Sequence, residues 1–131
     1  MSYKLFLDDE RKPSQVKWLE MPLGPWVIVR DYATFVGYIT KNGIPTFVSF
    51  DHDLADEHYR QSMYDKDKHY TSYYTDGTFK EKTGFSCAKW LCEYCLDNNL
   101  PFPDYQVHSM NPVGKENITQ YIESFKRSRT P

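Results

Sequence analysis

The feature that most constrains this chain is a set of short apolar runs, each cut off abruptly by polar residues. Tyr3 to Leu7 carries Leu5, Phe6 and Leu7 and ends at Asp8-Asp9-Glu10-Arg11-Lys12-Pro13. Trp26-Val27-Ile28-Val29 and Thr46-Phe47-Val48-Ser49-Phe50 repeat the pattern, and Tyr105-Gln106-Val107-His108-Ser109 is a weaker fourth example. A run of this length without alternation reads as a strand buried on both faces, as in a parallel sheet. Between the runs lie helical patterns. Asp31 is placed to cap a helix whose apolar stripe is Tyr32, Phe35, Val36 and Ile39, stopped by Asn42-Gly43. A second helix is expected over about 86–98, with Ala88, Leu91, Cys92, Cys95 and Leu96 in register. A third is expected over about 115–126, on Ile118, Tyr121, Ile122 and Phe125. Segment 14–23 is a poor helix candidate. Strands alternating with helices imply an α/β domain with right-handed crossovers and helices on both faces of the sheet.

The chain has 131 residues, which suits one domain over 1–131. A net charge of −2 offers no basic face for duplex DNA. No apolar run nears the ~20 residues of a membrane span, and Met1-Ser2-Tyr3-Lys4 does not open a signal peptide. Cys87, Cys92 and Cys95 are odd in number and close together, so they read as buried helix residues of a cytoplasmic protein rather than a disulfide framework. The spacing Cys92-Glu93-Tyr94-Cys95 falls mid-helix and has no second pair for zinc. Some thirty residues after Leu54 break the alternation. Within this insertion, about 56–82, Asp76-Gly77 marks the turn of an aromatic β-hairpin bearing Tyr70, Tyr73, Tyr74 and Phe79. Those rings suit base stacking, a small local core or a contact between subunits.

In an open parallel sheet, ligands bind beyond the carboxyl ends of the strands, where strand order reverses. For the order 2-1-3-4 that crevice lies between the first and third strands, whose ends carry Asp8-Asp9 and Asp51-His52-Asp53. Two charges about 4 Å apart repel by ~4 kcal/mol at an effective dielectric of 20, so gathered carboxylates bind a cation, hold a proton or splay into water. Carboxylate and water oxygens suit Mg²⁺ or Mn²⁺. Asp8-Asp9 taken alone reads equally as a solvated turn. The fourth strand ends in His108-Ser109-Met110-Asn111-Pro112-Val113-Gly114, bringing an imidazole, a hydroxyl and a carboxamide to the same edge. His108 is suited to general acid–base work or, more plainly, to packing against a backbone carbonyl. The helix that follows offers N–H groups to a phosphate. Arg11 and Lys115 are cations that either reach it or stay in solvent.

Four segments in order, Leu5-Phe6-Leu7-Asp8-Asp9-Glu10-Arg11, Phe50-Asp51-His52-Asp53-Leu54, Thr83-Gly84-Phe85 and His108 to Gly114, resemble the cyclic-phosphate-processing receiver-like domain of bacteria and phages. That family is related to response-regulator receivers, and the resemblance spans nearly the whole chain outside the insertion. It implies a flavodoxin-like fold, an acidic divalent-metal pocket, and hydrolysis of a cyclic phosphate on a nucleotide or RNA end. Against ordinary receivers, Asp8 and Asp9 match the metal-binding pair, Asp51 the phosphoacceptor and Ser109 the hydroxyl residue. The fifth strand and its Lys are missing.

The expected reading is therefore a metal-dependent phosphoesterase. Asp8, Asp9 and Asp51 would hold Mg²⁺ or Mn²⁺. His108, or alternatively His52, would protonate the leaving oxygen, with Asp51 in the catalytic set. Ser109, Asn111, Arg11 and Asp53 would contact substrate. The alternatives are a module that sequesters a cyclic nucleotide uncleaved, and a divergent receiver phosphorylated on Asp51.

Overall fold

The structure, a computed structural model, describes residues 3–54 and 83–129. Four strands form one sheet: β1 (Lys4–Leu7), β2 (Trp26–Val29), β3 (Phe47–Phe50) and β4 (Asp104–Val107). Their order is β2-β1-β3-β4 and every pair is parallel. This is the receiver-like α/β arrangement expected from the four apolar runs. The aromatic hairpin expected within 56–82 lies outside the described residues, as does any subunit contact through it.

Among the described residues three α-helices accompany the sheet: α1 (Tyr32–Asn42), α2 (Gly84–Asp97) and α3 (Pro112–Arg129). Asp31 caps α1, its side chain accepting the Thr34 N–H at 2.8 Å, and Gly43 ends the helix at φ +93°, a conformation a Cβ would strain. The second helix starts two residues earlier than its apolar stripe announces, because the Thr83 hydroxyl accepts from the Ser86 N–H. The third starts at Pro112 rather than Lys115. Asn111 caps it, accepting the Gly114 N–H at 3.0 Å, and Pro112 takes the first helical position, where its missing N–H costs nothing. That helix also runs on to Arg129. At its basic, largely exposed end, Arg129 donates to the Leu100 carbonyl at 2.6 Å, and Lys126 lies 5.6 Å from the Tyr105 ring. Cations at a helix C-terminus also complement its dipole.

Strand register divides the sheet into two unlike faces. Leu5, Leu7, Val29, Val48, Phe50 and Val107 share one core with Phe35 and Ile39 of α1, the three cysteines of α2, and Ile118 and Ile122 of α3. Helix α1 packs on α2 and α2 on α3, so all three α-helices cover this face. Phe6 and Val16 are buried outside that core. The opposite face is covered by residues 8–25, an irregular strap whose one helical element is the 3-10 turn Pro13–Gln15. Among the described residues, three α-helices lie on one side of the sheet and one short 3-10 turn on the other. Each large side chain buried in the helical core contributes ~1.5–3 kcal/mol. Burial pushes the Cys92 thiol up to about 12 and that of Cys95 to about 11, so they pack as small apolar groups and offer no thiolate. Among the described residues no helix is long and apolar enough to cross a membrane.

Candidate active site

The ends of three strands build one row of side chains. Leu7 pairs with Phe50, and Phe50 with Val107. One residue further, the Asp51 N–H donates to Leu7 O at 3.0 Å and the His108 N–H to Phe50 O at 2.9 Å. Because side chains alternate, Asp8, Asp51 and His108 turn away from the helical core toward the strap. The His108 ring stacks on Phe6, centroids 4.5 Å apart and planes 7° from parallel. Asp8, Asp51 and His108 each offer a ligand atom within 4.8 Å of the others, and all three residues are buried. Acids from distant stretches therefore meet at a common sheet edge, as the reversal of strand order predicts.

Their protonation is set by unequal partners. Burial opposes charge on Asp8, but hydrogen bonds from His108 and from the Glu10 and Arg11 N–H groups outweigh it and hold its carboxyl down at about 2. Oδ1 accepts the N–H groups of Glu10 and Arg11, both at 2.9 Å; Oδ2 accepts His108 Nε2 at 2.9 Å and Arg11 Nη1 at 3.2 Å. Asp51 has one such bond, from the His52 N–H at 2.9 Å to Oδ1. Its Oδ2 is buried and has no hydrogen-bond partner among the described residues. Burial first, and then the charge on Asp8, push its carboxyl up to about 8. Asp9 is raised to about 6 by burial and by Asp8 and Glu10, and its Oδ1 is likewise buried and unpartnered. Burial lowers the His108 pKa despite the Asp8 carboxylate beside it.

These groups fit a divalent cation. A buried, partnerless carboxylate oxygen beside an ionised carboxylate is a place where the free protein must hold a proton and where a hard cation can replace it. Two carboxylates leave the remaining positions of an octahedral ion to water and phosphate oxygens. Asp9 adjoins the three-residue cluster without being one of its members.

The other expected site residues form a second group, bonded to one another. His52 Nδ1 lies 2.8 Å from Asp53 Oδ1, and Asn111 Nδ2 donates to Asp53 Oδ2 at 3.2 Å while its Oδ1 caps α3. Ser109 Oγ accepts the Asn111 N–H at 3.1 Å. Together they clasp the end of β3 to the start of α3. Two glycines permit the approach. A Cβ on Gly114 would stand 2.3 Å from His52 Cγ, and one on Gly84 would stand 1.7 Å from the Asp51 carbonyl oxygen. Arg11 lies beside Asp8, its guanidinium carbon 5.3 Å from the centre of the Trp18 ring.

Three contributors were not singled out from the sequence. Ser49 Oγ lies 2.7 Å from His108 Nδ1, Gln106 Nε2 donates to Ser49 Oγ at 3.2 Å, and the Trp18 indole N–H donates to the His108 carbonyl at 2.9 Å. Period-two alternation marks the first two: Ser49 lies two residues before Asp51 and Gln106 two before His108, on the same face. Trp18, in an irregular strap, carries no such signal. No curated protein and no solved structure matches the chain. The family model of the cyclic-phosphate processing receiver domain matches residues 3–124, nearly all of this chain, which therefore belongs to that family.

Proposed function

We propose that this domain is a divalent-metal-dependent phosphoesterase that opens a cyclic phosphate on a nucleotide or an RNA end. The observation that carries the reading is the buried, partnerless Asp51 Oδ2 beside an Asp8 carboxylate kept ionised by its hydrogen bonds. Asp8 and Asp51 would hold Mg²⁺ or Mn²⁺, with Asp9 at the pocket's more exposed side. When bound, the ion supplies Lewis-acid stabilisation of charge developing on the phosphoryl oxygens.

The rest falls to the chain's own residues. A carboxylate has about four lone-pair sites, and all four on Asp8 are taken. Arg11 makes the longest of these contacts, 3.2 Å, and is the partner that would yield to an ion and turn its guanidinium to the phosphate. The fully buried His108 engages both ring nitrogens and holds Asp8 in place. As a water molecule adds to phosphorus and the P–O bond to ribose breaks, Asp9, raised to about 6 and only partly buried, is the group matched to donate a proton to the leaving ribose oxygen, the water's own proton passing to solvent. The clasp of His52, Asp53 and Asn111 supports the start of α3, whose positive dipole end complements a phosphate.

The test is incubation with a panel of 2′,3′- and 3′,5′-cyclic nucleotides, with Mg²⁺, with Mn²⁺ and with chelator. The expected result is metal-dependent ring opening of at least one class, lost in Asp51→Asn. Tight binding with the ligand recovered intact assigns a sequestering role instead. Stable labelling of Asp51 by acetyl phosphate assigns a phosphoacceptor role. Metal-independent turnover, or full turnover by Asp51→Asn, refutes the reading.

A further inference from the structure

Beneath the row of Asp8, Asp51 and His108 lies a second row on the same face, Phe6, Ser49 and Gln106, paired in register. Two of its members are polar in a layer where strand residues are otherwise apolar, and their hydrogen bonds have a determinable direction. Gln106 Nε2 contacts Met21 Sδ at 2.9 Å and Ser49 Oγ at 3.2 Å. A thioether cannot donate, so the amide nitrogen is the group placed there, and Ser49 Oγ accepts from it. The Ser49 O–H then has His108 Nδ1, at 2.7 Å, as its acceptor. Nδ1 must therefore carry the lone pair and Nε2 the proton, which is donated to Asp8 Oδ2 at 2.9 Å. The opposite assignment would leave the hydroxyl proton of a fully buried serine without an acceptor.

We propose that Ser49 and Gln106 are positioning residues: they fix His108 as the Nε2–H tautomer, so that it serves as a permanent donor to Asp8 Oδ2 and aims that carboxylate into the proposed cation pocket. The chain runs Gln106 to Ser49 to His108 to Asp8, each link donating to the next, with the imidazole held flat on Phe6. Neither Ser49 nor Gln106 touches the pocket; both act through His108. Removing a residue bonded directly to a metal ligand, as His108 is to Asp8, changes metal affinity by about 10–100-fold, and Ser49, one link further out, should act at the low end of that range. The cation part rests on the proposed function. The tautomer does not.

The experiment has two arms, on the full chain. Long-range ¹H–¹⁵N correlation spectra of ¹⁵N-histidine-labelled, metal-free protein read the His108 tautomer directly. Mn²⁺ titration, followed by the paramagnetic signal of the free ion, reads affinity. Wild-type protein is expected to show His108 as Nε2–H alone. Ser49→Ala is expected to mix or reverse the tautomers and to weaken Mn²⁺ binding about tenfold, and Ser49→Thr, which keeps the hydroxyl, to restore both. Gln106→Leu is expected to shift both readouts in the direction of Ser49→Ala. A wild-type His108 protonated on Nδ1 overturns the proposal whatever the metal does. An Mn²⁺ affinity unchanged in a folded Ser49→Ala protein overturns the positioning role. Failure of wild-type protein to bind Mn²⁺ while showing the expected tautomer overturns the cation reading and, with it, the purpose assigned to the chain.

Discussion

Asp51→Asn offers a thermodynamic measurement of how badly the metal-free pocket tolerates its second charge. The Asp51 carboxyl is raised in the folded protein from 3.8 to about 8, by burial first and by Asp8 next. A group raised in this way contributes stability that is fully present below its unfolded value and is lost as pH climbs through its folded value. Between those limits the unfolded chain releases the proton and the folded one keeps it. The wild type therefore pays about 1.4 kcal/mol per pH unit that Asn, without a titrating group, does not. Asp8 and His108 titrate in both proteins and cancel, to first order, in the difference. From about pH 5 to about pH 7.5 the stability of the variant relative to wild type should rise by ~3 kcal/mol, or about half that if water relieves part of the desolvation. Urea denaturation in the presence of chelator measures it, read as the slope of the difference against pH, so that a constant offset from altered hydrogen bonding drops out. Saturating Mg²⁺ or Mn²⁺ should raise wild-type stability and flatten the slope. A difference that is flat or falls with pH would refute the assignment of Asp51 as the strained, proton-holding member of the pair.

Other outcomes follow from the same geometry. Gly84→Ala places a methyl group 1.7 Å from the Asp51 carbonyl oxygen, against backbone that cannot swing aside, and should cost ~3 kcal/mol or more in urea unfolding. Gly114→Ala meets the His52 ring instead and should cost ~1–3 kcal/mol while disturbing the clasp, visible as altered His52 resonances. Cys87, Cys92 and Cys95 are buried, so alkylation of the native protein near neutral pH should be far slower than in urea; rapid native labelling would contradict their packing role.

The fold was legible wherever local signals agreed. Four apolar runs, an Asp cap at 31 and a Gly stop at 43 fixed the β/α alternation, and strand-order logic brought Asp8 to Asp51 across more than forty residues of chain. What was not legible came from capping and from tertiary contact. Thr83 and the Asn111-Pro112 pair start their helices before any apolar stripe begins, and Arg129 extends the last helix by bonding a carbonyl far away in sequence. In the site, residue types alone gave His52 as an alternative proton donor and Asp53 and Asn111 as substrate contacts; their bonds to one another could be read only from the folded chain. Ser49 looked like an ordinary strand residue until register placed it under His108.

The unequal covering of the sheet has its own consequence. Arg30 donates to the carbonyls of Asp8 and Arg11, at 3.0 and 2.7 Å, and Asp8 in turn accepts the Glu10 and Arg11 amides, so the strap leaves the sheet by a tightly bonded bend. Asp8, the carboxylate of the candidate site, is thus also the anchor of the strap. Changes in residues 12–25 would reshape the cover over Asp8, Asp51 and His108 from the side opposite the described helices. Evolution of ligand preference in such a scaffold can proceed through the strap, with stability banked separately among the helices.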